Sequence, residues 1–130
     1  MGEESTGFDF EFEPPFPWCL VEVSDPKKLR SKTQRAYLDT GSDGTIVPSE
    51  TADVLNLTGF PSTRATVHGI GGKPEQRILF GAVFTVGTLE IRTVVDIRED
   101  VDIVLLGRDV LQHTSLNLSW KAARVAVSDP

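Results

Sequence analysis

The run Ala36-Tyr37-Leu38-Asp39-Thr40-Gly41-Ser42-Asp43-Gly44-Thr45-Ile46-Val47 constrains this chain more than any other stretch. Apolar, strand-like residues carry one aspartate into a Thr-Gly-Ser turn, and a second apolar run leaves it. Threonine and glycine are small, so backbone amides and a hydroxyl crowd close to the carboxylate. Asp39 is thereby held at the surface of a rigid frame with hydrogen bonds to accept. Acid or base chemistry by a carboxylate requires that geometry. The same residues also make an ordinary hairpin turn, since Asp, Gly, Ser and Thr are common turn formers. The tripeptide alone does not separate the two readings.

The surroundings read as strands at short spacing. Residues 18–23, 35–39 and 45–47 are apolar or β-branched, with a polar, basic loop at 24–33 between the first two. Pro48-Ser49-Glu50 opens the best helix pattern, with Ser49 placed as N-cap and an end near 56–59. Strand patterns follow at 64–68, 76–84, 83–86 and 89–95, then at 103–106, 116–120 and 124–127. A short helix over 107–113 interrupts the last group. Many short strands, turn signals and two brief helices predict an all-β sandwich or closed barrel. Gly69-Ile70-Gly71-Gly72, followed by Lys73-Pro74-Glu75, is a hairpin tip built almost wholly of glycine around one apolar side chain, suited to a lid over a ligand. Its spacing is wrong for a phosphate-binding loop, and no Ser or Thr follows the lysine.

Residues 1–17 read as a leader. Phe8, Phe10 and Phe12 alternate with Asp9, Glu11 and Glu13, a period-2 pattern that suits a strand with one apolar face. Pro14, Pro15 and Pro17 then break sheet pairing. The expectation is a flexible leader; the alternatives are an edge or interface strand in a dimer, or a segment docked in a groove.

Charge and composition narrow the function. At 130 residues the chain fits one domain that buries roughly two-thirds of its surface. A net charge of −6 and a pI near 4.8 make phosphate backbones and anionic membranes poor partners. No basic patch carries interleaved aromatics, so no nucleic-acid partner is expected. No apolar run approaches the roughly 20 residues of a membrane helix. The first residues are acidic, unlike a signal peptide. Cys19 is the single cysteine, so no disulfide forms within the chain, and a cytoplasmic location is expected. Asp96, Glu99, Asp100 and Asp102 surround Arg98 without the ligand spacing of a calcium loop, and read as a solvated turn. His68 and His113 are isolated. No metal or cofactor is called for.

Three separated features coincide: Leu38-Asp39-Thr40-Gly41-Ser42 after a strand, the Gly69-Ile70-Gly71-Gly72 tip, and Leu105-Leu106-Gly107-Arg108-Asp109-Val110-Leu111. In this order and at these intervals they resemble the retropepsins, the retroviral-type, single-lobe aspartic proteases. The resemblance covers a domain at 18–128 and implies a closed or partly open β-barrel with a flap hairpin and one or two short helices. It makes Asp39 the catalytic aspartate of an aspartic endopeptidase. Thr40 takes the place of the threonine whose hydroxyl bonds across the subunit interface, and Gly41 that of the glycine whose backbone faces the substrate. Gly69, Ile70, Gly71 and Gly72 match the flap. Arg108 matches the helix arginine that pairs with the acid past the loop, here Asp43, as structural support.

Ser42 stands where many retroviral enzymes carry alanine. A hydroxyl donated to the Asp39 carboxylate would lower its pKa and shift the pH optimum toward acid. Aspartic proteases use two carboxylates that share a proton and titrate as a pair. This chain holds one Asp-Thr-Gly and no room for a second lobe, so the resemblance implies a C2 homodimer with a polypeptide substrate bound under both flaps. Val125-Ala126-Val127 is a candidate interface strand. The competing reading is a non-catalytic dimeric peptide-binding or assembly module that keeps the fold. A third is a protease domain regulated within a larger protein, as in ubiquitin-linked relatives.

Overall fold

The computed structural model describes residues 5–67 and 72–128, and its strands follow the apolar alternation of the sequence. In chain order they are β1 (Thr6–Asp9), β2 (Phe16–Ser24), β3 (Ser31–Leu38), β4 (Thr45–Pro48), β5 (Ser62–Val67), β6 (Glu75–Val86), β7 (Leu89–Arg98), β8 (Val104–Leu106), β9 (Ser115–Ser119) and β10 (Arg124–Ser128). Helix α1 (Ser49–Leu55) follows β4, and the single turn α2 (Arg108–Leu111) follows β8. β3 shows how pattern becomes placement. Its first half alternates, leaving Ser31, Thr33 and Arg35 exposed, and its second half, Ala36 to Leu38, is buried outright.

Eight strands form one sheet in the order β1-β2-β3-β8-β4-β7-β6-β5, and β9 and β10 form a separate antiparallel pair. A further pairing of β2 with β6, Val23 opposite Phe84, joins the sheet back onto itself. The ring β2-β3-β8-β4-β7-β6 is therefore closed, which removes its edges and encloses one core. Val21, Val23, Leu38, Val47, Leu55, Phe84, Val95 and Leu106 fill it. Each such side chain is worth roughly 1.5–3 kcal/mol on burial. Cys19 is part of this core, and burial pushes its thiol up to about 12, leaving it inert.

The short strand β8 sets the position of the functional loop. It lies parallel to β3, with Leu38 opposite Leu106, and meets β4 on its other side, with Ile46 opposite Leu105. The chain leaves β3 at residue 39 and enters β4 at residue 45, so residues 39–44 must cross over the end of β8.

Four local expectations are corrected. The leader is not loose over residues 5–17. β1 pairs antiparallel with β2, Gly7 opposite Trp18, and the Thr6 hydroxyl donates to the Val125 carbonyl at 2.8 Å. The apolar side of the Phe alternation is buried at Phe8, whose ring lies 5.0 Å from that of Trp120, and this apolar contact holds the segment down. Helix α1 is preceded by Pro48 with no side-chain cap, so Ser49 is its first residue and not its cap. The patterns at 76–84 and 83–86 are one continuous strand, β6. The basic loop spans only residues 25–30, because Ser31 to Thr33 extend β3. There Asp25 is fully buried and accepts the amides of Lys27, Leu29 and Arg30 at 2.9, 3.2 and 2.6 Å.

Candidate active site

Asp39 continues the β3–β8 ladder, its amide donating to the Leu106 carbonyl at 2.9 Å. The carboxylate is half-buried, and its Oδ1 accepts the Gly41 amide at 3.1 Å. The Ser42 amide closes the turn on the Asp39 carbonyl at 3.2 Å. Asp39 therefore sits at the rim of the barrel on a backbone fixed from both sides.

The loop is anchored to α2. The first amide of that helix, Arg108, donates to the Ser42 carbonyl at 2.8 Å, and the Gly107 amide donates to the Thr45 hydroxyl at 3.1 Å. Helix N-termini leave such donors free, and here the loop satisfies them. Asp109, in the same helical turn, accepts two hydroxyls, Thr45 Oγ1 on Oδ1 and Thr93 Oγ1 on Oδ2, each at 2.7 Å. One carboxylate thus ties α2 to β4 and β7 directly beneath the loop.

Two expected contacts differ. Arg108 makes no ion pair with Asp43 among the described residues; its Nη1 donates to the Thr40 carbonyl at 2.8 Å, and Asp43 is exposed. Arg108 joins helix and loop through a backbone acceptor instead. Ser42 Oγ donates to the Gly44 carbonyl at 2.7 Å and not to Asp39. The hydroxyl braces the loop, and the reason for an acid-shifted optimum falls away. The bracing role of Thr45, Thr93 and Asp109 was missed, although Asp109 lies inside the motif that carries Arg108. An acidic side chain in a helix's first turn, three residues after a strand, is the signal that marked it.

A cleft of about 280 Å³ opens beside the loop. One wall is Ser42 to Ile46, the other is Ala65 to Val67 on β5, and Leu79 and Val94 supply apolar surface. Asp96 and Arg98 stand at its edge. Asp96 was expected in a solvated turn, but it is a buried residue of β7, held by Arg77 at 2.9 Å; Glu99, Asp100 and Asp102 are exposed. The β5–β6 hairpin runs past the cleft, its last register pair being Val67 with Glu75. Of the expected flap residues, Gly69, Ile70 and Gly71 lie outside the described residues, as does His68, and Gly72 is exposed. His113 is exposed just after α2. Among the described residues no group of three or more His, Cys, Asp or Glu could hold a metal ion. No helix among them is long and apolar enough to cross a membrane.

The family model for aspartyl proteases matches residues 24–110, from the end of β2 through the Asp39 loop to α2. The chain belongs to the aspartyl protease family. Solved structures of this family's retroviral type share its fold. A retropepsin-like aspartic protease from Rickettsia conorii superposes with a TM-score of 0.55 at 19% identity, covering 92% of this chain and 91% of that one. EIAV protease does so with a TM-score of 0.53 at 20% identity, covering 75% and 86%. The retroviral protease-like domain of Ddi1 from Leishmania major gives 0.51 at 15% identity, covering 83% and 86%. No curated protein sequence matches. The retropepsin-like barrel expected from the sequence is the fold observed. Within the aspartyl protease family match lie Asp39, its loop, the cleft and Arg108.

Proposed function

We propose that this protein is a homodimeric aspartic endopeptidase. Asp39 of each copy would hold a water between two carboxylates, one accepting its proton while the other donates to the peptide carbonyl. The observation that carries the reading is the presentation of Asp39. It is half-buried, fixed by backbone bonds on both sides, and placed on the loop that walls an open cleft. Among the described residues Oδ1 takes the Gly41 amide and Oδ2 takes no protein donor, which leaves it for water. One such carboxylate supplies half of the required pair, and the second comes from a second copy. In this reading Thr40 and Gly41 shape the loop toward the partner and the substrate, and the residue 69–72 tip closes over an extended polypeptide. Ser42 and Arg108 hold the loop through its carbonyls.

The test is cleavage of a mixed peptide library across pH by the wild type and Asp39→Ala, with sedimentation of both. Cleavage by a dimer that falls by at least about 10³-fold in the variant is the expected result, since positioned acid–base groups contribute on that scale. No cleavage by a folded, dimeric wild type would overturn the endopeptidase reading and leave a peptide-binding module.

A further inference from the structure

We propose that the leader forms part of the substrate site, with Phe12 and Phe16 selecting a large apolar side chain next to the cleaved bond; this rests on the protease reading above. In a strand, residues two apart project to the same side, about 7 Å from each other. Ala36 and Leu38 point into the core. Tyr37 therefore projects to the opposite side, and so does Asp39, because its amide continues the ladder to Leu106. Tyr37 is buried but lies outside the main core cluster. What covers it is the leader. The Phe12 and Phe16 rings lie 5.5 and 5.2 Å from the Tyr37 ring and 5.3 Å from each other. Both phenylalanines remain half-exposed. An aromatic wall with an open face thus stands one strand step from the candidate catalytic carboxylate, with Phe12 supplied by the leader and Phe16 by the first residue of β2.

The wall is fixed in place. Tyr37 Oη donates to Asp9 at 2.6 Å, and Trp120 Nε1 donates to the Pro15 carbonyl at 2.9 Å. β1 is paired on β2, and Thr6 is bonded to Val125. A preorganised surface loses little conformational freedom when a ligand arrives. The one polar atom of the aromatic trio, the tyrosine hydroxyl, is already bonded to Asp9. The rings themselves offer a polar substrate side chain no hydrogen-bond partner, whereas an apolar or aromatic one gains ring contact. Contact with part of one ring distinguishes substrates by roughly 10-fold or more in kcat/KM.

The experiment uses the full chain and pairs of peptides that differ only by Phe or Ala at the residue flanking the cut. The ratio of kcat/KM for Phe over Ala is measured for wild type, Phe12→Ala, Phe16→Ala and Phe12→Leu, with a thermal melt of each. The expected result is a ratio lowered about 10-fold in the alanine variants and partly restored in Phe12→Leu. An unchanged ratio, or equal loss on both peptides by folded variants, makes the leader scaffold only and overturns the proposal. Where an alanine variant fails to fold, Phe12→Leu decides, and an unchanged ratio there overturns it. Asp39-dependent cleavage by the wild type with no preference for Phe sinks this inference alone. A folded wild-type dimer that cuts nothing sinks it together with the protease reading.

Discussion

Alanine at Gly107 tests whether close contact holds the Asp39 loop across β8. Gly107 has φ −90° and ψ −177°, extended backbone that any residue adopts, so a methyl group brings no torsional penalty. Its Cβ would instead strike the backbone of Gly44, overlapping the carbonyl oxygen and lying 2.5 Å from the carbonyl carbon and 2.9 Å from the nitrogen. The obstacle is main chain, so either the loop or α2 must shift. Forced displacement in a packed site costs about 1–3 kcal/mol. The shift also stretches the bonds from Gly107 to Thr45 and from Arg108 to Ser42, at about 1 kcal/mol each. The sum is about 3–5 kcal/mol, a large part of a domain stability of roughly 5–15 kcal/mol. With a urea slope of about 1–3 kcal/mol per molar, the midpoint falls by about 1–5 M. Gly44→Ala is the control on the other side of the same contact. Nothing lies within 4 Å of its added Cβ and its φ is not left-handed, so it changes stability by no more than about 1 kcal/mol. Unfolding is compared at equal protein concentration, because coupled dissociation would move the midpoint. A Gly107→Ala midpoint equal to wild type, or a Gly44→Ala midpoint that falls as far, would refute the reasoning.

Asp109→Ala removes the acceptor of two threonine hydroxyls, one of them on buried Thr45, and lowers stability by about 2–4 kcal/mol in urea melts. Asp109→Asn keeps an acceptor oxygen and loses less than half as much; equal losses would show that charge, not bonding, holds α2. Ser42→Ala leaves the pH optimum of cleavage in place, because the hydroxyl bonds Gly44 and not Asp39; an optimum that rises on substitution would contradict that geometry. At Asp25, burial raises the pKa, but the amides of Arg30, Leu29 and Lys27 outweigh it and hold the carboxyl below its ordinary value. A depressed folded pKa stabilises above the unfolded value and is lost as pH falls through the folded one. Asp25→Asn is therefore less stable than wild type at neutral pH, and the gap in urea midpoints narrows below about pH 4. A gap that is constant with pH would mean the ionised form adds nothing.

The barrel was legible because its determinants are local. Alternation placed β3 and β7 within a few residues of their observed bounds, and small turn residues marked where Asp39 leaves the strand. The leader was not legible, because its partners are remote. Thr6 bonds a residue 119 positions away, and Trp120 reaches Pro15 across 105. Pro14 and Pro15 mark the break before β2, but Pro17 lies within it opposite Phe8, and none of the three carries information about the Tyr37 ring that Phe12 and Phe16 cover. A period-2 run of Phe and acidic residues was compatible with a free segment and with a docked one. Only the aromatic surface present elsewhere in the fold, Trp18, Tyr37 and Trp120, decides between them.

The two misplaced side chains in the site share a cause. Ser42 and Arg108 were matched by residue type to carboxylates, those of Asp39 and Asp43, yet both donate to backbone carbonyls, those of Gly44 and Thr40. A loop that crosses over a strand end has carbonyls that no ladder takes up, and groups drawn into a fold need partners. Donors can be counted from a sequence, but a carbonyl acceptor exists at every position, so which one is free depends on the crossing. Asp109 is the converse case. As an acceptor it needed donors, and the hydroxyls of Thr45 and Thr93 come to it from two different strands. The position of Asp39 is thus held by main-chain and hydroxyl bonds around it, while its own Oδ2 takes no donor from the described residues.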